Sequence, residues 1–178
     1  MTAITSQNMV TFIIDNHNGT WAQGSGVLIS PDEVLTASHV VESWNIGDGD
    51  PKFTPAPVPA TGFQVTPNNQ TVGDPFSAVG PFGTISAQNI HYNDVATTPF
   101  VVQGLDFALI HLSHPVTGAG YMGLNPNFTG GAVTYSGYPA ILDAQGHFIS
   151  SGPMVNVPDT LTGGSSAPYF DYFSEVHG

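Results

Sequence analysis

Three stretches of this chain hold side chains that can do chemistry together. "TASHVV" (36–41) carries His39, "LDFALIHL" (105–112) carries Asp106 at the lip of an apolar run, and "DTLTGGSSAP" (159–168) carries Ser165 between glycines and a proline. A serine hydroxyl becomes a nucleophile when an imidazole takes its proton, and the imidazole needs a carboxylate to fix its tautomer and stabilise its charged form. Glycines ahead of the serine let backbone N–H groups converge on a developing oxyanion, because only a sharply turning chain brings them together. His, Asp, Ser is one of the chain orders in which such a triad occurs. Taken singly, each residue has a plainer reading: His39 as a structural histidine, Asp106 as a strand-end residue, Ser165 as a turn serine.

The other chemistry-bearing groups converge less well. His91 with Asp94 in "HYND", and His111 with His114 in "HLSH", lack the three or four convergent ligands that a metal needs. Asp48 and Asp50 in "GDGD" fall short of the ligand count of a calcium loop. These read as loop residues, so neither metal nor cofactor is expected.

Composition narrows the partners. The 178 residues are 40% hydrophobic, enough to bury a core as one large domain or two smaller halves. Lys52 is the single cation against thirteen acidic residues, and a formal charge of -12 repels phosphate backbones and anionic membranes alike. Nucleic acid and membrane are therefore not expected as partners. Cysteine is absent, which removes disulfides, thiolate metal sites and cysteine nucleophiles. The N-terminal "MTAITSQNMVTFII" shows neither a basic region nor a long apolar run, so no signal peptide is visible. An acidic, cysteine-free composition poor in Lys and Arg leans toward an extracellular or cell-surface bacterial setting.

The elements that must position the three residues are short. No segment of helical length keeps a 3.6-residue apolar period without a breaker. Apolar runs bounded by turn residues occur at 9–14, 26–30, 33–41, 99–102, 106–112, 132–138, 148–150 and 168–173, which predicts an all-β sandwich or barrel fold. "GSG" (24–26) reads as a turn and residues 47–83, rich in proline, as a long surface excursion. The best break follows Leu112, dividing the chain into 1–112 and 113–178.

Together these segments resemble the trypsin-like serine peptidases of the chymotrypsin fold, and more closely their bacterial V8-type branch of glutamyl endopeptidases. Thr36-Ala37-Ser38-His39 is similar to the family's Thr-Ala-(Ala/Gly/Ser)-His block, with Gly24-Ser25-Gly26 matching the Gly-(Ser/Thr)-Gly upstream of it. Asp106-Phe107-Ala108-Leu109-Ile110 resembles the family's Asp-(Ile/Phe/Trp)-Ala-Leu-(Ile/Leu) strand. Gly137-Tyr138-Pro139 looks like the Gly-Tyr-Pro that opens the second half in the V8-type branch. Asp159-Thr160 with Gly163-Gly164-Ser165 resembles its Asp-Thr-x-x-Gly-x-Ser element.

The resemblance implies two six-stranded antiparallel barrels, with His39 as general base, Asp106 as its orienting partner and Ser165 as nucleophile. The amides of Gly163 and Ser165 would form the oxyanion hole, and a peptide or protein would be the substrate. Pro168 stands three residues after Ser165, as in the family, which favours Ser165 over Ser166.

Departures from the family pattern carry their own expectations. Ser166 stands where glycine is usual and Ala167 where Gly or Ser is common, and a φ above zero at Ser166 would strain the oxyanion hole. Thirteen residues follow Ser165, so the second barrel is expected to lack its last strands and to be completed by a C-terminal fragment. Gly164 replaces the aspartate that pairs with a new N-terminus in the digestive enzymes. Asp159 lies where trypsin carries the acid of its substrate pocket, although the Asp-Thr of the V8-type branch sits at the same spacing without that preference. The alternatives to an endopeptidase are a catalytically silent binding module and a domain that processes only its own polypeptide.

Overall fold

The computed structural model describes residues 7–15, 21–37, 41–43, 56–57, 63–70, 79–92, 107–125, 127–142, 144, 148–151 and 153–161. The elements are strands throughout: β1 Met9–Asp15, β2 Trp21–Leu28, β3 Glu33–Thr36, β4 Glu42–Ser43, β5 Ala56–Pro57, β6 Phe63–Pro67, β7 Ile85–Tyr92, β8 Ala108–Leu112, β9 Gly131–Gly137, β10 Ala140–Leu142, β11 Phe148–Ser151 and β12 Val155–Leu161. An all-β fold is what the broken apolar runs predict.

Six strands close into an antiparallel barrel in the order β1-β2-β3-β8-β7-β6. Alternation decides which side chains enter it, because successive residues of a strand face opposite sides. Along β8, Ala108, Ile110 and Leu112 are buried while Leu109 and His111 are partly exposed. Val10, Phe12, Leu28, Val34, Phe63, Val65, Ala108 and Ile110 retain 0% of their exposure, and the Phe12 and Phe63 rings pack with centroids 5.9 Å apart. Closure leaves the barrel no free edge, and Val41 and Val116 from outside its strands complete the core.

Two sequence expectations change here. Residues 47–83 are not wholly a surface excursion: Phe63–Pro67 is a barrel strand paired with β1, and Ala56–Pro57 pairs with Glu42–Ser43. The prolines hid the alternation of Phe63 and Val65 inward with Gln64 outward, and Pro67 is tolerated because it ends the strand. Gly24-Ser25-Gly26 is not a turn but the middle of β2, paired with Phe12, Thr11 and Val10. Glycine is required at 26 by close packing: a Cβ there would lie 2.6 Å from Val34 Cγ1 and 3.0 Å from the Leu35 carbonyl oxygen.

The turn between β2 and β3 is closed by Ile29 N–H donating to Glu33 O at 3.0 Å and by Ser30 Oγ–H donating to Asp32 Oδ1 at 3.0 Å. After β8 the chain crosses this turn, with Val116 N–H donating to Pro31 O at 2.6 Å and the Val116 side chain entering the core. It then returns along β2, where Met122 N–H donates to Leu28 O at 2.8 Å.

The remaining strands form smaller sheets. β9 and β12 pair along their whole length, from Val155 opposite Gly137 to Leu161 opposite Gly131, and β10 pairs with β11. Pro158 sits within β12, which suits a strand that pairs on one edge only among the described residues.

Candidate functional site

Of the residues singled out for chemistry, His39, Asp106, Gly163 and Ser165 lie outside the described residues, and Asp159 lies within them. The strands that lead to the first two are β3 and β8. β3 and β8 are antiparallel, with Thr36 directly opposite Ala108. The chain therefore leaves β3 at the same end of the barrel at which it enters β8. His39 is three residues beyond Thr36, and Asp106 is two residues before Ala108. One strand pair thus sends both segments out of one end. On the far side of His39 the chain is anchored again by Val41, which is 1% exposed in the barrel core.

Thr36 is also held from the side. Its Oγ1–H donates to the Ser25 carbonyl oxygen at 2.9 Å. The hydroxyl of the same Ser25 reaches the second half of the chain, where it accepts from Tyr138 N–H at 2.8 Å, and Gln23 Nε2 donates to Tyr138 O at 3.3 Å. Composition and spacing did not pick out Ser25, Gln23 or Tyr138 for a role. Their signal was present only as two short motifs, Gly-Ser-Gly and Gly-Tyr-Pro, far apart in sequence and brought together by the fold.

Tyr138 is 5% exposed, and its phenol oxygen is buried beside the Asn69 backbone. Burial pushes its pKa up from 10.0 to about 12, because the phenolate would lose its solvation, while the nearby Asn69 backbone offsets part of that effect. Tyr138 is thus a neutral anchor across the physiological range. Beyond it, β9 stands away from β2, and a cavity of about 370 Å³ opens between them, lined by Ser25, Gly26, Met122, Leu124, Thr134 and Ser136 among others.

Asp159 is half-buried in β12 opposite Val133, and its Oδ1 accepts from Thr160 N–H at 2.6 Å. Among the described residues no group of three or more His, Cys, Asp or Glu side chains could hold a metal ion. The nearest approach is His111 Nε2 at 3.7 Å from Asp32 Oδ2, a lone surface pair. No helix among the described residues is long and apolar enough to cross a membrane.

Solved structures share this architecture. The chain is similar to a scabies mite inactivated protease paralogue (13% identity, TM-score 0.52, covering 88% of this chain and 58% of that one). It is similar also to a Glu endopeptidase solved in complex with MPD (17% identity, TM-score 0.53, covering 93% and 69%) and to a protein named GrC (14% identity, TM-score 0.53, covering 89% and 61%). At these identities the likeness is one of fold, and the chain spans about three fifths of the first and third of these neighbours. No curated protein matches the chain in sequence. Residues 24–177 match the trypsin-like peptidase domain, and the chain belongs to that family.

Proposed function

We propose that the protein is a serine endopeptidase whose nucleophile is Ser165, general base His39 and orienting carboxylate Asp106, with motifs of the V8-type branch. His39 takes the proton from Ser165 Oγ as the hydroxyl attacks the scissile carbonyl, and returns it to the leaving amine, while Asp106 stabilises the imidazolium. The amides of Gly163 and Ser165 receive the oxyanion. The observation that carries this reading is the Thr36–Ala108 pairing, which sends the His39 and Asp106 segments out of one end of one barrel. Membership of the peptidase family supports it. Asp159 has a structural role at the end of the second sheet, as its hydrogen bond to Thr160 N–H suggests, and does not set a basic preference.

A second reading, a silent protease-like binding module, draws on Ser166 standing where the family usually has glycine. The scabies mite neighbour is itself described as an inactivated protease paralogue on this fold. Intact-mass measurement after exposure to a fluorophosphonate probe separates the two. The peptidase reading expects one adduct per chain, abolished in Ser165→Ala; a folded chain that takes up none sinks it and leaves the silent module. The labelling rate is expected to fall on going below neutral pH as His39 protonates. An acid-side inflection far from the imidazole range would remove His39 as the base.

A further inference from the structure

We infer that Ser25 is a positioning residue that couples the segment bearing His39 to the half of the chain bearing Ser165. The inference rests on the peptidase reading above and adds to it a residue outside the triad. Ser25 uses its two polar groups in two directions. Its carbonyl oxygen accepts from Thr36 Oγ1–H at 2.9 Å, three residues before His39. Its hydroxyl oxygen accepts from Tyr138 N–H at 2.8 Å, and the Tyr138 carbonyl is held in turn by Gln23 Nε2 at 3.3 Å.

The far side of this clasp is a unit. Tyr138 directly follows β9, and β9 pairs with β12 over seven residues, so the two strands move together. β12 ends at Leu161, four residues before Ser165. Next to the clasp the ribbon stands off from β2 over the cavity of about 370 Å³, and β9 has only partly buried or exposed residues. A ribbon that borders a cavity on this side takes much of its direction from the attachment. The attachment has a definite geometry for two reasons. Tyr138 is buried, and both of its backbone polar groups are held, the N–H by Ser25 Oγ at 2.8 Å and the carbonyl by Gln23 Nε2 at 3.3 Å.

Acylation requires the nucleophile and base to meet within hydrogen-bond reach, and a displacement of about 1 Å is enough to lower a rate by up to about a hundredfold. Removing the Ser25 hydroxyl leaves Tyr138 N–H without its acceptor and the ribbon with a wider range of directions. The triad chemistry itself is unchanged, so the loss should appear in the rate and not in the acid–base behaviour.

The test measures fluorophosphonate labelling of the full chain against time and pH for the wild type, Ser25→Ala and Gln23→Ala, with Ser165→Ala as the blank. Ser25→Ala is expected to label to the same final stoichiometry with a rate constant about tenfold lower on the plateau, its acid-side inflection unmoved. Gln23→Ala keeps the Ser25 hydroxyl but removes the second hold on Tyr138, and should show a smaller loss of the same kind; it also serves if Ser25→Ala does not fold. A wild-type rate constant in both variants overturns the inference. So does a lower stoichiometry at an unchanged rate constant, because that is the mark of partial unfolding alone. A wild type that takes up no probe overturns the peptidase reading, and the role of Ser25 with it.

Discussion

The barrel and the β9–β12 ribbon are made of strands of comparable length, yet they are held in place by different means. In the barrel every strand has two partners, and its inward side chains lose all contact with water. In the ribbon each strand has one partner among the described residues, and its side chains are half-buried or exposed, Val155 keeping 39% of its surface. Closure makes the barrel's geometry a property of the whole core, tolerant of any one polar contact. The ribbon's direction depends on a few contacts at the seam. Under the proposed triad, the segments of the base and carboxylate adjoin the rigid barrel and that of the nucleophile follows the ribbon.

Core truncation should separate the two regions most sharply. Phe12→Ala or Ile110→Ala removes a fully buried side chain and is expected to lower stability by about 3–5 kcal/mol, read from urea unfolding. Equal effects from Phe12→Ala and Val155→Ala would contradict the contrast drawn here. Gly26→Ala drives a Cβ into Val34 Cγ1 and the Leu35 carbonyl, and about 1–3 kcal/mol of destabilisation is expected from the same measurement.

The seam has its own pH signature. The Tyr138 pKa is about 12 in the folded chain against 10.0 ordinarily, so below pH 10 both states keep the proton and stability does not depend on this group. As the pH rises above 10 the unfolded chain ionises first and is favoured. Stability attributable to Tyr138 is therefore lost between about pH 10 and 12, on the order of 2 kcal/mol in all. Tyr138→Phe should flatten that stretch of the stability profile; a profile unchanged by the substitution would place the phenol in contact with water. At neutral pH the same substitution removes a buried hydroxyl and its interaction with the Asn69 backbone, and a loss of about 1 kcal/mol or less is expected. The smallest effect belongs to the surface: Val155→Ala should stay within about 0.5 kcal/mol of the wild type.

How far the fold could be read from the sequence varied with the type of signal. β1 and β8 were legible because "MVTFII" and "ALIHL" are apolar enough to stand out between turn residues. β7 was not, since "ISAQNIHY" mixes Gln, Asn and His into a strand with a register shift between Ala87 and Asn89. β6 was hidden by surrounding prolines, and β12 by Pro158 in its middle. For the site, the motifs picked out candidate residues on the segments following β3, preceding β8 and following β12. The Ser25–Tyr138 seam was beyond reach, because a contact across 113 residues leaves no mark in local composition.

The sequence by itself determined the all-β class and the exclusion of cysteine chemistry, since each follows from residue types and short-range alternation. It also carried the family motifs in their order. Only the tertiary structure decided that Gly26 serves close packing and not a turn, that Phe63 and Val65 belong to the core, and that Ser25 joins Thr36 to Tyr138. The reason is physical. Alternation tells which face of a strand is apolar, but which strands become neighbours depends on closing the barrel around a shared core, and that is a property of all six strands at once.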